Sequence, residues 1–271
     1  MKNICTICGN NKLTEFIKYS KPPKIEKKFN IKKEYKRRYL RCTDCNHFIS
    51  DQNLINLNTH YEKEYSKIHY QNNDNLKKTF KKIINYPIKK SDNKNRILRI
   101  NNFLSHLEIK KNKKKIELLD VGSGLGVFLH EAKKIGWKCY SNEPGIEASS
   151  FIKKKLNIKT FNSKFEKIST NKKFDIVTFN KVLEHVERPH KFLNKAKKLL
   201  KPNGFIYIEV PDGEAAIKVS KNRQEFTIEH LHVFAFESIM GLIKKCSLLP
   251  IKIERIKEVS GKLTLFAFVK N

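Results

Sequence analysis

The sequence predicts an α/β fold in which a mostly parallel sheet is flanked by helices and preceded by a small cysteine-bearing domain. From Ile116 onward, apolar runs typical of strands alternate with amphipathic segments typical of helices, as in a parallel sheet with helical crossovers. Ahead of residue 58, four of the six cysteines form two C-x-x-C pairs, a spacing that suits a metal site. The 271 residues suffice for one full α/β domain and a small second one.

Three parts are expected along the chain. Residues 1–58 are predicted to form a zinc ribbon, residues 59–115 a helical linker or cap, and residues 116–271 the main domain. Within the linker, residues 96–107 place apolar side chains at helical spacing and predict a helix. The lysine-rich residues 110–115 predict an exposed turn before the first strand.

The cysteine pairs are Cys5-Thr-Ile-Cys8 and Cys42-Thr-Asp-Cys45. Each pair can place two thiolates on one tetrahedral metal, so together they predict a closed, structural zinc site. A segment this small and polar needs the free energy of metal binding in order to fold. Redox-active cysteine pairs are the alternative. His47, just beyond the second pair, is expected to be a surface residue rather than a ligand.

Hydrophobic periodicity and turn residues give the expected elements of the main domain in order. The expected strands are residues 116–120, 137–142, 158–161, 174–179, 205–210, 251–256 and 263–269. The expected helices are residues 127–135, 146–156, 190–200 and 237–246. A turn at Lys-Pro-Asn-Gly, residues 201–204, is expected to separate the third of these helices from the fifth strand. The last two strands are expected to close the sheet as an antiparallel pair.

A glycine-rich turn follows the first strand of the main domain. The strand ends at Asp120, and Gly122, Gly124 and Gly126 follow at alternate positions. Glycine permits the tight turn and lets backbone N–H groups approach a ligand closely. The next strand is followed by Glu143, whose carboxylate could accept hydrogen bonds from two ribose hydroxyls. The G-x-G-x-G spacing differs from the dinucleotide G-x-G-x-x-G, which disfavours NAD.

Three segments carry a family resemblance. The run Leu-Leu-Asp-Val-Gly-Ser-Gly-Leu-Gly, residues 118–126, resembles motif I of the class I S-adenosylmethionine (SAM)-dependent methyltransferases. Residues 174–189 resemble motif IV of the same superfamily, and residues 199–211 resemble its fifth strand. The resemblance implies the Rossmann-like, seven-stranded sheet of those enzymes and SAM as the methyl donor.

The resemblance also implies positions for the cofactor. Asp120 and the glycine turn at residues 122–126 would hold the methionine end of SAM, and Glu143 would hold the ribose. Ser163 and Phe165 would border the adenine, and Asn180 would lie near the sulfonium.

The pair Glu184-His185 has two interpretations. In similar enzymes of the ubiquinone-pathway O-methyltransferase type, acids and a histidine in this loop can hold a divalent cation. Here Asn180 and Lys181 stand just upstream in place of acids. The other interpretation is a pair at a helix start that makes local hydrogen bonds.

The segment Glu229-His230-Leu-His-Val-Phe234 lies where class I enzymes place substrate-facing groups. It is similar to a segment of the sugar C-methyltransferases, which also begin with a zinc-binding domain. By that resemblance His230 would be the general base and Glu229 would orient it. Thr227 and Ile228 stand where those enzymes have Tyr and His, and we expect this protein to lack their large C-terminal domain. The structural alternative is a histidine packed beside Phe234.

The net charge of +30 comes mostly from lysine. Arginine, which recognises guanine and phosphate in bidentate fashion, is scarce. The sequence therefore favours methyl transfer to a small polar acceptor, a sugar or a nucleotide sugar. The alternative is an RNA methyltransferase that uses the ribbon and the lysine surface to bind RNA. Which acceptor atom is methylated and the oligomeric state stay open.

The N-terminus lacks the apolar region of a signal peptide, and no apolar run approaches the ~18 residues of a membrane span. We therefore expect a cytoplasmic protein with reduced thiols.

Overall fold

The computed structural model describes residues 4–29, 31, 34–54, 73–106 and 115–271. Much of the expected linker, and the exposed turn expected at residues 110–115 except its last residue, lie outside the described residues. No helix among the described residues is both long enough and apolar enough to cross a membrane.

Three short antiparallel strands form the N-terminal part. They are β1 (Leu13–Tyr19), β2 (Arg37–Cys42) and β3 (Phe48–Asp51). β2 pairs with both β1 and β3. Exposed and buried residues alternate over the last four residues of β1, so one face of this strand is covered there and the other faces solvent.

The main domain is a seven-stranded sheet. Its strands are β4 (Glu117–Val121), β5 (Lys138–Asn142), β6 (Lys159–Phe161), β7 (Phe174–Asn180), β8 (Leu200–Pro211), β10 (Leu249–Lys257) and β11 (Leu263–Lys270). Their spatial order is β10-β11-β8-β7-β4-β5-β6. The five strands from β4 to β8 are mutually parallel, and β11 runs antiparallel to both of its neighbours. The predicted α/β fold and its closing antiparallel pair are confirmed.

The described residues form seven α-helices, which pack mainly on the two faces of the large sheet. They are α1 (Asn73–Ile84), α2 (Asp92–His106), α3 (Val127–Lys134), α4 (Ile146–Phe151), α5 (Pro189–Leu199), α6 (Gly213–Val219) and α7 (Phe236–Lys245). The first four helices share one hydrophobic core. Helices α5 and α7 share a second core with Cys5, Cys42 and Cys45 of the N-terminal part. Helix α4 continues as a π-helical turn, Ile152–Leu156.

The structure corrects the expectation of a separate turn at residues 201–204. β8 begins at Leu200, directly after α5, and these four residues bulge within the strand. Leu200 pairs with Phe174 and Phe205 pairs with Ile176, so the register slips across the bulge. The ammonium of Lys201 holds the bulge against the neighbouring strand through a 2.8 Å hydrogen bond to Asp175. Turn-forming residues here serve a β-bulge.

Helix α2 is fastened to the sheet by a buried ion-pair cluster. Glu209 on β8 is fully buried and accepts hydrogen bonds from Arg96 and Arg99 of α2. Burial alone would raise the pKa of Glu209, but the two guanidinium groups, that of Arg96 foremost, lower it to about 2. Phe103 of α2 also stacks on Phe268 of β11 with ring centroids 3.8 Å apart. The helix predicted at residues 96–107 therefore exists and packs directly on the sheet.

A two-residue strand, β9 (His232–Val233), joins the N-terminal sheet to the main domain. It pairs antiparallel with β3, so residues far apart in sequence form one four-stranded sheet. His47 corrects a sequence expectation, because it is fully buried and its Nε2 lies 2.9 Å from Nδ1 of His232. The burial arises because β9 closes over the start of β3, a contact that local sequence does not indicate.

Candidate active site

The glycine turn lies between β4 and α3 at the carboxyl end of the sheet. Gly122, Gly124 and Gly126 all have positive φ angles, of 68°, 52° and 72°, where glycine is favoured over other residues. A Cβ at Gly122 would stand 2.8 Å from Val182, and one at Gly126 would stand 2.7 Å from Leu156. A Cβ at Gly124 would meet no described atom within 4 Å. The turn is therefore packed at both ends and open at its centre.

Glu143 follows β5 and faces this turn. One carboxylate oxygen accepts a 2.7 Å hydrogen bond from the backbone N–H of Gly124, and the other accepts 2.9 Å from Gly145. Burial raises the pKa of Glu143 to about 7. The carboxylate thus fixes the open centre of the turn. A ligand that donates hydrogen bonds to it would stabilise its ionised form.

Asp120 is the second-last residue of β4, which ends at Val121, one residue later than predicted, and it is 2 % exposed. Its Oδ1 accepts hydrogen bonds of 2.7 Å from Thr178 and 2.8 Å from the amide of Asn180, both on the neighbouring β7. Burial raises the pKa of Asp120 to about 6. Oδ1 of Asn180 is buried and has no hydrogen-bond partner among the described residues. Buried acceptor atoms are normally hydrogen-bonded, so a bound ligand that donates a hydrogen bond would suit this amide oxygen.

Ser163 and Phe165 lie beside β6 in the structure. The carbonyl of Ser163 accepts a 2.7 Å hydrogen bond from Asn142 at the end of β5. Phe165 is buried, with its ring centroid 5.7 Å from that of Phe179 and 5.4 Å from that of Phe192. Their predicted place beside an adenine stays a prediction.

A cavity of about 220 Å³ lies beyond the ends of β7 and β8. A single-turn 3₁₀ helix after β7, Leu183–His185, supplies part of its wall. Predicted residues Glu229 and His230 supply another part, and Ile25 of the N-terminal part a third. The N-terminal part and the main domain therefore enclose one cavity together.

Two imidazoles in this cavity are held by backbone carbonyls. Nδ1 of His230 lies 2.7 Å from the carbonyl of Glu225, and Nδ1 of His185 lies 3.0 Å from the carbonyl of Glu229. Because a carbonyl can only accept, both Nδ1 atoms carry the hydrogen. Burial, and then the electrostatic interaction with His185, lower the pKa of His230 to about 3. That Glu229 orients His230 stays a prediction.

Glu184 is fully buried beside these rings. Neither carboxylate oxygen has a hydrogen-bond partner within the part of the chain that the structure describes, and burial raises the pKa of Glu184. Lys181, which also lines the cavity, has a positive φ of 60° and donates a 2.5 Å hydrogen bond to Thr264. The sequence analysis named Lys181 only as a residue that replaces an acid, and it missed Glu225, because no motif marks either as a cavity residue.

The four cysteines of the two pairs converge. Sγ of Cys5 lies 3.6 Å from Sγ of Cys45, and Sγ of Cys8 lies 3.5 Å from that of Cys42. All four sulfurs lie within 4.8 Å of one another. Tetrahedral zinc with Zn–S bonds of about 2.3 Å needs sulfurs roughly 3.8 Å apart. The arrangement is therefore compatible with a zinc ribbon.

Buried contacts run from the N-terminal part to the loop that carries His230. The hydroxyl of Tyr39 lies 2.9 Å from the carbonyls of both Thr227 and His230. The carboxylate of Glu26 pairs with Arg37 at 2.5 Å, and both side chains are fully buried. Sequence reasoning missed these residues, since tyrosine and a buried ion pair carry no spacing signal.

A family model described as a methyltransferase domain matches residues 91–246, a span that holds the glycine turn, Glu143 and the cavity residues of the main domain except Lys262 and Leu263. The chain belongs to the methyltransferase-domain family. It is a methyltransferase. The match begins in the region of α2, in accord with the close packing of that helix on the sheet.

Solved structures share the fold of this methyltransferase. The plantazolicin methyltransferase in complex with SAH is 15 % identical, with a TM-score of 0.56, and the match covers 79 % of this chain and 94 % of that one. The 1,6-didemethyltoxoflavin-N1-methyltransferase of Burkholderia thailandensis is 14 % identical, with a TM-score of 0.52 and coverage of 85 % and 98 %. The magnesium protoporphyrin IX methyltransferase of Synechocystis is 11 % identical, with a TM-score of 0.50 and coverage of 64 % and 82 %. No curated protein matches the chain.

Proposed function

We propose that this methyltransferase transfers the methyl group of SAM to a small polar acceptor, a sugar or a nucleotide sugar, bound in the cavity of about 220 Å³. The observation that carries the proposal is the cavity itself. The cavity lies at the carboxyl ends of β7 and β8, and Asn180 is the last residue of β7. The walls of the cavity carry acids, histidines and lysines. Such a lining suits an acceptor rich in hydroxyl groups.

The proposed SAM site is the opposite part of the same sheet edge. Asp120, the open glycine turn at residues 122–126, Glu143 and Asn180 are the groups we propose to hold the cofactor. The unobstructed space at Gly124 and the unpartnered amide oxygen of Asn180 support this. SAM supplies a methyl group already activated on a sulfonium, so the task of the protein is to position the two reactants.

We propose that His230 assists the loss of a proton from the acceptor, with Glu229 as its neighbour in the cavity wall. The ring is fixed by its hydrogen bond to the carbonyl of Glu225. It is therefore held in one orientation without the help of a bound substrate, which favours proton transfer or ligation at its other nitrogen.

The N-terminal residues 1–58 are proposed to form a zinc ribbon that covers the acceptor. Support comes from the spacing of the four sulfurs and from Ile25 in the cavity wall. Lys181 and Lys262 line the same cavity and could meet a phosphate of a nucleotide sugar. The cavity also carries Glu184, Glu225 and Glu229, and acids in such number disfavour a polyanionic RNA strand.

The test is a screen with SAM labelled in the methyl group. The purified protein is incubated with a panel of sugars and nucleotide sugars and, separately, with total RNA. We expect label in one or more of the small acceptors. Label confined to RNA, with binding that weakens steeply as salt is raised, would contradict the proposal and support the RNA alternative.

A further inference from the structure

We infer that Glu184, His185 and His230 form a binding site for a divalent transition-metal cation in the acceptor cavity. One possible ligand atom of each residue lies within 4.8 Å of those of the other two. The site is distinct from the cluster of four cysteines, which uses other residues. The inference rests on the proposed function, because it takes this cavity as the place where the acceptor binds.

The imidazoles are set up as metal ligands. His185 and His230 each direct Nδ1–H to a backbone carbonyl, at 3.0 and 2.7 Å. In a neutral ring the lone pair then resides on Nε2. Metal-binding histidines commonly donate the other ring N–H to a carbonyl in this way, which fixes both the tautomer and the ring plane. The ring centroids are 4.8 Å apart, so both rings can approach one ion.

The carboxylate of Glu184 supplies an independent observation. Its side chain is fully buried, and both oxygens are without a hydrogen-bond partner in the described ranges. A buried carboxylate in that state is costly unless a cation compensates it. The ammonium of Lys181 lines the same cavity but directs its 2.5 Å hydrogen bond to Thr264. A cation bound by Glu184 would therefore satisfy an acceptor that the described protein groups leave unsatisfied.

The two segments that carry the ligands are tied together. The backbone N–H of Leu231 donates a 2.8 Å hydrogen bond to the carbonyl of Glu184. The hydroxyl of Tyr39 lies 2.9 Å from the carbonyl of His230. The first bond holds the 3₁₀ helix after β7 against the loop that carries His230, and the second holds that loop against β2. A site fixed in this way needs little rearrangement when an ion binds.

Two imidazoles and one carboxylate are a donor set that suits zinc, iron, manganese and similar divalent ions and leaves coordination positions open. In the acceptor cavity, those positions would take oxygen atoms. The class of acceptor that fits is one with a hydroxyl group, and best with two adjacent hydroxyls, as on a sugar ring. The inference therefore assigns oxygen as the atom methylated.

The transfer step balances as follows. Coordination lowers the pKa of the acceptor hydroxyl, and its proton leaves to water in the cavity. An oxygen lone pair then forms the bond to the methyl carbon. The bond between that carbon and sulfur breaks, its electron pair stays on sulfur, and S-adenosylhomocysteine leaves as a neutral thioether. His230 thus assists deprotonation through the ion it holds.

The experiment uses the full chain with its cysteine site filled with zinc. Mn²⁺ is titrated in the presence of S-adenosylhomocysteine and followed by electron paramagnetic resonance, with Zn²⁺ as a competitor. We expect one Mn²⁺ per chain, displaced by a further equivalent of Zn²⁺. Glu184→Gln and His185→Asn should each weaken Mn²⁺ binding about tenfold or more. Glu187→Gln, which changes an exposed carboxylate two residues beyond the cluster, should leave it unchanged.

Each variant is first shown to bind S-adenosylhomocysteine as the wild type does, so that misfolding is excluded. If Glu184→Gln does not fold, His185→Asn carries the test alone. Absence of bound Mn²⁺ in the wild type, or equal affinity in both variants, would overturn the inference. Methyl transfer to a sugar that persists without any ion in the site would overturn the inference and leave the proposed function standing. If these residues bind Mn²⁺ but no sugar is methylated, the metal site stands and the proposed function is overturned.

Discussion

The carboxylate of Glu26 accepts a 2.9 Å hydrogen bond from the backbone N–H of Ile228, a residue 202 positions later in the sequence. Glu26 is itself held by Arg37, which also donates 2.9 Å to the carbonyl of Phe226. The N-terminal part thus binds the backbone of the loop that carries His230. A buried, charge-assisted network of this kind resists rearrangement. The cavity is consequently shaped both by the N-terminal part and by the loop that carries His230.

Removing the hydroxyl of Tyr39 tests this connection. Tyr39→Phe leaves the carbonyls of Thr227 and His230 without that donor, so we expect unfolding to become easier by about 1 to 2 kcal/mol. Turnover should fall while the Kd for SAM stays the same. Tyr19→Phe is the matched control, since its hydroxyl donates to the carbonyl of Lys221. It should lower stability without changing turnover; equal loss of turnover in both would contradict the connection.

The glycine turn gives a test of SAM binding. Gly124→Arg puts a long side chain into the space that a Cβ there would face, so we expect calorimetric titration to show no heat of SAM binding. Gly136→Arg is the control, because Gly136 also has a positive φ, of 88°, and open space around its Cβ position. The control carries similar backbone strain and should keep its SAM affinity. Normal SAM binding by Gly124→Arg would place the cofactor elsewhere.

The role of His230 can be separated from cofactor binding. His230→Ala should lower turnover roughly 100-fold or more, because the group that assists proton loss is removed. The Kd for SAM should not change, because the ring contacts Glu225 and His185 rather than the glycine turn. His106→Ala, at the exposed end of α2, should behave as the wild type. Unchanged turnover in His230→Ala would remove this residue from the mechanism.

Metal analysis tests the cysteine site. We expect about one zinc per chain retained through purification, since four thiolates close the coordination shell. Cys42→Ser should lose that zinc and melt at a lower temperature, because the metal stabilises the small domain. Cys139→Ser changes a half-buried cysteine outside the cluster and should keep the zinc. Less than half an equivalent of metal in the wild type would defeat the zinc-ribbon proposal.

Glu209 predicts the acid stability of the protein. Its folded pKa of about 2 lies below the ordinary glutamate pKa of 4.5, so its ionised form adds stability above pH 4.5 that is lost as the pH falls toward 2. Glu209→Gln should lose this dependence and be about 3 to 5 kcal/mol less stable at pH 7, because Arg96 and Arg99 stay buried without it. Glu214→Gln, which breaks a more exposed pair with Arg255, should cost less than about 1 kcal/mol. Denaturant titrations at several pH values would measure both effects. If the stability of Glu209→Gln fell with pH as steeply as that of the wild type, this account would be contradicted.

Much of the main domain could be predicted from the sequence. The expected strands fall within one or two residues of the observed ones, apart from the bulge that extends β8 and slightly longer closing strands. Strand and helix periods are local properties, and a glycine turn is defined by neighbouring residues. The short α6 and β9 were missed because each is too brief to carry a period. Charge and cysteine spacing likewise could be read from the sequence without knowledge of the fold.

By itself the sequence determined the sheet, the glycine turn with Glu143 after the next strand, and the two cysteine pairs, because each depends on residues a few positions apart. Only the tertiary structure decided that His47 is buried, that Tyr39 lies against the loop of His230, and that Glu184 faces two imidazoles. Except for that between the sequence neighbours Glu184 and His185, these contacts join residues dozens to almost two hundred positions apart. Which residues are buried, and which lie in contact over such distances in sequence, depends on how the two sheets pack. Hydrophobic periodicity is a local property and does not indicate that packing.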